Sequence, residues 1–356
     1  MDEPGSSDTR PLGPLAASEQ RVAARSRLRR KRLIRTIVVA VVAVIAIVAI
    51  VVGTYVVGIA RTFDEKTVKL EKVFPDGDRP EAAGGGARNI LLLGSDTRGS
   101  LSELNDAAGS DQRADTIMLV HVPADGKGVY AMSIMRDSWV TIPGSGEGKI
   151  NSAMAIGGIP LLVQTLEGML GTRIDNVAAL DFAGFEKLTD AIGGVSVNVP
   201  QDFKAIDGLD FTAGEQVLDG AHALAFVRER HAFADGDYQR VKNQQVYLKS
   251  LMNTMLSPSV LGNPGMISHA VSEFSPYLGV DRSFTSGDLM GLGWKLRSVR
   301  GNDVHMFTLP NSGTSFSSDG QSIIVVDEQA VAEVGKALRD DSLADYIAAH
   351  PDGQKP

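Results

Sequence analysis

The chain has no cysteine, and it has six histidines and two tryptophans in 356 residues. Without a thiol it forms no disulfide, holds no thiolate-ligated metal and uses no cysteine nucleophile. The histidines show no HExxH or similar spacing, which leaves a zinc site without support. A Ser-His-Asp order, a nucleophile elbow and a P-loop lysine are also missing, so covalent acyl transfer and NTP use lack their usual residues. Outside the N-terminal region the basic side chains are outnumbered by acidic ones. Residues 1–60 carry nine basic and four acidic side chains, a net +5, so the remainder holds −13 to reach the total of −8. A nucleic-acid partner calls for a basic face, and this acidic remainder excludes one.

What the chain does contain begins with a run of 25 residues free of charge, from Thr36 to Ala60. As a helix it would be about 37 Å long, against a hydrocarbon core of about 30 Å. A cleavable signal has a shorter apolar region, about 7 to 15 residues, so the run reads as a transmembrane helix. Arg21, Arg25, Arg27, Arg29, Arg30, Lys31, Arg32 and Arg35 crowd its N-terminal flank, while Arg61, Asp64, Glu65 and Lys66 nearly cancel beyond it. By the positive-inside bias residues 1–35 form a disordered cytoplasmic tail that also contacts anionic lipid. The expected location is the plasma membrane, single-pass, with everything after Arg61 extracytoplasmic.

Residues 61–87, with Pro75-Asp-Gly-Asp-Arg-Pro80 and Gly84-Gly-Gly86, read as a flexible linker. From Arg88 to about residue 345, strand-like apolar runs (89–93, 116–122, 129–135, 176–182, 193–199, 304–309, 322–326) alternate with helical ones (160–170, 183–192, 218–230, 238–255, 287–299, 328–339). This alternation predicts an α/β fold, a single extracytoplasmic α/β sandwich with a central sheet flanked by helices, preceded by one transmembrane helix. Residues 346–356 read as a frayed C-terminal tail.

Four clusters pair arginine with carboxylate. They are Asn89-Ile-Leu-Leu-Leu-Gly-Ser-Asp96-Thr-Arg98, Arg113-Ala-Asp115, Met132-Ser-Ile-Met-Arg136-Asp137, and Arg228-Glu-Arg230 with Asp237, Arg240 and Gln244. Arginine binds phosphate through a planar bidentate fork, and Mg²⁺ is commonly held by one or two carboxylates together with phosphate oxygens. Asp96 ends a buried strand, where ligands of open α/β sheets bind. Alone it is a turn aspartate, but with Asp115 at a second strand edge the pair suits one Mg²⁺. Arg136-Asp137 alone would be an ordinary ion pair. Arg228 and Arg230 reach one ligand only if their helix ends there, and His231-Ala-Phe-Ala-Asp-Gly236 supplies that break. Asp237, Arg240 and Gln244 share one face at the start of the next helix, where free amides favour an anion. A solvated helix start with an ion pair would look the same. His222 and His231 read as structural or solvated. The residues themselves stop at phosphoryl chemistry by positioning and charge neutralisation, with a carboxylate to take a proton from the acceptor hydroxyl.

These motifs resemble those of the LytR-CpsA-Psr family of cell-envelope proteins. The resemblance also covers Lys149-Ile-Asn151 with Gly157-Gly158, Asp190-Ala-Ile-Gly-Gly-Val195, Leu218 to Arg230, and Asp237-Tyr-Gln-Arg240 through Gln244, within about residues 88–255 and more weakly to about 345. It implies a catalytic domain over 88–345 that moves an anionic glycopolymer from a polyprenyl-pyrophosphate carrier to peptidoglycan. Asp96 and Asp115 would hold Mg²⁺, and Arg98, Arg113, Arg136, Arg228, Arg230, Arg240 and Gln244 would bind the pyrophosphate. Asp96, Asp237 and Arg136 would be catalytic, with Asp96 or Asp237 as the base. The prenyl chain would occupy a tunnel lined by helices 160–170 and 240–255. The chain departs from the family pattern at Met135, where proline is common, and at Asn243, where an arginine phosphate contact is often found. A lipid-binding scaffold without turnover and a pyrophosphatase with water as acceptor remain the alternatives.

Overall fold

The computed structural model describes residues 52–95, 101, 104, 114–233 and 236–350, with the side chains of Ser95 and Asp115 excepted. Most of the apolar run at 36–60 therefore lies outside the described residues, and its last part belongs to a helix, α1, over residues 52–66.

A seven-stranded sheet carries the fold. Its order is β1 (Val68–Leu70), β12 (Leu278–Asp281), β7 (Asn176–Asp181), β2 (Arg88–Ser95), β3 (Ala114–Val122), β4 (Val129–Ile134) and β13 (Val304–Thr308). Pairing is parallel for β1 with β12, β7 with β2 and β4 with β13, and antiparallel at the other three contacts. The α/β class expected from the sequence is thus observed, as a mixed sheet with helices on both faces.

The pleat sorts the apolar side chains. Leu91, Leu93, Ile117, Leu119, Met132 and Ile134 point to one face, where α2 (Ile150–Leu170), α9 (Glu328–Arg339) and α10 (Leu343–Ala349) cover them. Burying each such side chain contributes about 1.5–3 kcal/mol. The helix α2 is long and apolar enough to cross a membrane, but it lies inside this core. It starts ten residues earlier than expected because Gly158, at φ 69°, lets two helical pieces meet at a kink just before Pro160. The other face carries α3 (Phe182–Ala191), α4 (Gly220–Arg228), α5 (Asp237–Met255) and α7 (Pro264–Phe274).

Smaller units complete the domain. β14 (Asn311–Phe316), β15 (Ser322–Val326), β5 (Ser138–Ile142) and β6 (Gly146–Lys149) form a second sheet. β8 (Val195–Val199) pairs with β11 (Gly214–Leu218), and β9 (Phe203–Lys204) with β10 (Asp210–Phe211). Two short helices, α6 (Pro258–Leu261) and α8 (Ser286–Lys295), flank α7 and β12. The helix expected from Leu218 begins slightly later, because Leu218 is the last residue of β11 and α4 starts after its cap, Asp219.

The segment expected as a flexible linker is packed. β1 joins the sheet edge, and Phe63, Val73 and Ala83 are buried. Arg79 makes a bidentate pair with Glu167 of α2, at 3.0 and 2.6 Å, donates to the Ile174 carbonyl and lies over the Phe74 ring. Glu167, 3% exposed, also accepts from the Ile174 amide. Removing one member of a buried pair strands the other charge, at about 3–5 kcal/mol. Glu167→Ala is therefore expected to lower the unfolding free energy by about that amount, read from urea melts. The C-terminal tail is likewise shortened, since α10 extends to Ala349.

Candidate functional site

β2 and β7 end side by side, with Ser95 in register with Asp181. On the other side of β2 the register shifts: Gly94 faces Thr116 and Ser95 faces Ala114, so Asp115 is the extra residue of a bulge. Bulges re-aim side chains and gather beside active sites. The backbone of Asp115 thus lies at the edge where β2 runs on into Asp96. Glycine is required at position 94, because a Cβ there would stand 2.9 Å from the Thr116 Cβ.

β4 delivers Arg136 to the same end of the sheet, and the N-terminus of α5 delivers Asp237 and Arg240. Asp237 collects three guanidinium groups: Arg136 at 3.7 Å, Arg230 at 3.7 Å and Arg240 at 3.3 Å. Asp137 sits 3.6 Å from Arg136 and 3.1 Å from Lys149. Among the described residues, four cations thus stand around these two carboxylates. The Asp237 contacts exceed the 2.7–2.9 Å typical of charge-assisted hydrogen bonds, so they act as electrostatic attraction over a slightly longer range. Arg136, Asp137, Asp237 and Arg240 line a small pocket together with Thr116, Ser133, Gln244 and the apolar Ile117, Ile134, Met135 and Val241.

Arg228 and Arg230 are splayed by the end of α4, as their spacing requires. Glu229 caps that end and accepts from the amides of Ile206, His231 and Ala232. Burial pushes its carboxyl up, but these amides and that of Arg230 hold it below the ordinary glutamate value. Arg228 then lies over the Phe182 ring, 4.6 Å from its centre.

An apolar cavity of about 250 Å³ lies beside the polar pocket. Leu92 and Met118 of the sheet, Phe185 of α3, Leu224 of α4, and Leu248 and Leu251 of α5 are among its walls. Thr116 and Gln244 line both spaces, and the Gln244 amide donates to Thr116 Oγ1 at 3.1 Å and to the Val227 carbonyl. Tyr247, inside the cavity wall, hydrogen-bonds Thr189 at 2.6 Å, and burial pushes its phenol up to about 12. Asp181 stands at the cavity's polar end, where burial raises its carboxyl against the Gly184 and Ala183 amides. The arrangement suits an amphiphile with an anionic head and an apolar tail.

The structure thus brings together Arg136, Arg230, Asp237, Arg240 and Gln244 from separate stretches of sequence, and sets Arg228 against Phe182 of the apolar cavity. Asp96, Arg98 and Arg113 lie outside the described residues, and of Asp115 the backbone is described. Among the described residues no cluster of three metal-ligating side chains occurs. The helix expected at 160–170 does not line the cavity; it lies on the opposite sheet face, and α3 and α4 take its place beside α5. Asn243 bonds the Phe226 carbonyl and is 1% exposed, so it ties α5 to α4. Met135 packs against Val241 and Ile324. His222 pairs with Asp219 at the cap of α4. Sequence reading misses Asp181, Phe182, Glu229 and Thr116. Asp181 carries a usable signal, since it ends a strand just as the segment before Asp96 does.

The LytR_cpsA_psr family model matches residues 56–340. A probable cell wall biosynthesis protein LcpB of Corynebacterium glutamicum is 37% identical over 242 residues, 63% of this chain and 57% of that protein. The chain thus spans little more than half the length of this relative. The polyisoprenyl-teichoic acid–peptidoglycan teichoic acid transferase TagU of Enterococcus faecalis is 32% identical over 80% of this chain and 91% of its own. The crystal structure of B. subtilis TagT aligns with a TM-score of 0.58 at 26% identity, covering 77% of this chain and 99% of that one. TagT bound to LI-WTA aligns equally well.

Proposed function

Because the chain belongs to the LytR-CpsA-Psr family, we propose that it is a phosphotransferase that moves an anionic glycopolymer from a polyprenyl-pyrophosphate carrier to peptidoglycan. The observation that carries the proposal is the junction at Thr116 and Gln244, where an arginine-rich pocket meets an apolar cavity. The cationic lining of the first suits a pyrophosphate chemically, and the apolar walls of the second suit the start of a prenyl chain. The TagU name and the TagT structure with LI-WTA support the same reading. We place the N-terminal tail in the cytoplasm, residues 36–60 in the plasma membrane and the domain outside.

In this mechanism a hydroxyl of peptidoglycan attacks the phosphorus that bears the glycan. The bridging P–O bond breaks and prenyl phosphate leaves, while the hydroxyl proton passes to Asp96 or Asp237. Arg136, Arg230 and Arg240 neutralise the pyrophosphate oxygens, with Asp237 holding the three in place. Arg228, fixed over Phe182, binds the phosphate nearer the cavity. Mg²⁺ is proposed as the cofactor. The bulge that sets Asp115 beside the end of β2 fits a hard cation shared with Asp96. When bound, the ion would neutralise charge on the phosphates.

The full chain in lipid nanodiscs, given a prenyl-pyrophosphate oligosaccharide, Mg²⁺ and a peptidoglycan oligomer, should yield a phosphodiester-linked adduct by mass spectrometry. EDTA should abolish it, and Arg228→Ala should lower the rate about 10²–10³-fold. Free phosphorylated glycan as product would mean a pyrophosphatase. Tight lipid binding without bond change would mean a scaffold.

A further inference from the structure

The helix α8 exposes three large apolar side chains outside the site. Trp294 is 72% exposed, and Met290 and Leu289 are 47% and 42% exposed. Met290 and Trp294 are one turn apart, so they share a face, and Arg297 continues it with its guanidinium 4.7 Å from the Trp294 ring. Lys295, Arg297 and Arg300 gather at the helix's C-terminal end. Gly291 and Gly293 meet no atom within 4 Å of an added Cβ, so no packing requires them. Such glycines weaken a ten-residue helix in water by about 1 kcal/mol each.

The end of α1 helps to hold α8 in place, beside the Arg88–Asp288 pair and the Lys295 bond to the Gly86 carbonyl. Asp64 caps its start by accepting from the Ser286 amide at 2.9 Å and from the Ser286 hydroxyl. Phe63 packs with Phe284 and Leu292, and Lys69 donates to the Phe284 carbonyl. Asp64 lies four residues past Ala60, about 6 Å along a helix. The polar interface on each side of a bilayer is about 5–8 Å thick. β12 is antiparallel to β7, so α8, which follows β12, belongs to the sheet end opposite the arginines. Leu92, Ala178 and Leu278 line the apolar cavity and also pack in the cluster that holds Phe63.

We propose that α8 is a second membrane contact, lying in the interface of the bilayer that holds residues 36–60, with Leu289, Met290 and Trp294 turned into anionic lipid. The proposal rests on the reading of 36–60 as a span. Tryptophan prefers the membrane interface, and the Arg297 and Arg300 guanidiniums match an anionic headgroup layer, while Lys295 donates back to the Gly86 carbonyl.

The test uses the full chain in nanodiscs of phosphatidylglycerol and phosphatidylcholine, with Trp139→Phe so that Trp294 alone fluoresces. Lipids brominated near the glycerol end of the acyl chains should quench Trp294, and aqueous acrylamide should quench it less than it does in a nanodisc of the Asp64→Ala, Ser286→Ala variant. Trp294 unquenched by bromolipid and open to acrylamide would overturn the proposal. A control variant with Val48→Trp, Trp139→Phe and Trp294→Phe reports on the span. If that probe also escapes deep-brominated lipid, the span reading itself fails; if it is quenched while Trp294 is not, the α8 contact alone fails.

Discussion

Arg240→Ala is expected to lower the glycopolymer transfer rate by about 10³-fold while leaving the thermal unfolding midpoint within a few degrees of the parent. Arg240 stands in the first turn of α5, 9% exposed at its side chain and 3.3 Å from Asp237. That position adds two effects. The helix start contributes free amides and a positive partial charge, with Gly236 offering no side-chain cap to compete for them. A guanidinium largely shielded from water also neutralises phosphate charge more strongly than an exposed one. Arg240→Lys should recover little of the loss, because an ammonium on a flexible stem cannot present two parallel donors to one phosphate. The measurement is single-turnover kinetics with saturating prenyl-pyrophosphate oligosaccharide. A fall below tenfold, or full recovery by lysine, would show that Arg240 supplies bulk charge and no oriented contact.

The parts of this site that are legible in sequence are those set by local rules. The break after Arg228 is readable because two arginines two apart cannot share a helix face, and the structure ends α4 there with Glu229 as cap. The i, i+3, i+7 spacing of Asp237, Arg240 and Gln244 survives because α5 is regular from its first residue. Strands β7 and β15 and helix α9 fall within a residue of their expected bounds, since each is a clean apolar period bounded by a turn or cap. What is not legible depends on partners distant in the chain. The second sheet joins β5 to β15 across nearly two hundred residues, and β5 and β14 show little apolar alternation to announce them. The segment 61–87 has the composition of a linker, yet β1 is a strand because β12 offers it an edge. Apolarity alone points helix 160–170 toward the cavity. Apolarity shows that a helix is buried, but which sheet face buries it depends on the crossover, and here α2 goes to the opposite side.

Ala178→Phe should separate the two halves of the site. Ala178 lies on a central strand, lines the cavity and leaves the arginine pocket untouched. A ring there projects into existing space, so the overpacking cost should stay near 1–3 kcal/mol. The same ring denies the space to a prenyl chain. Each methylene kept from burial costs about 0.8 kcal/mol, so excluding four of them weakens binding by about 3 kcal/mol, or roughly 10²-fold. The KM for a long-chain prenyl-pyrophosphate donor should therefore rise about 10²-fold. A donor whose prenyl group is a single five-carbon unit should be turned over by the variant as by the parent, since its head occupies the arginine pocket and it has little tail to lose. Equal losses with both donors would place the damage in the strand ends and not in the cavity. No loss with either would show that the chain lies along the surface, leaving the cavity without a part in donor binding.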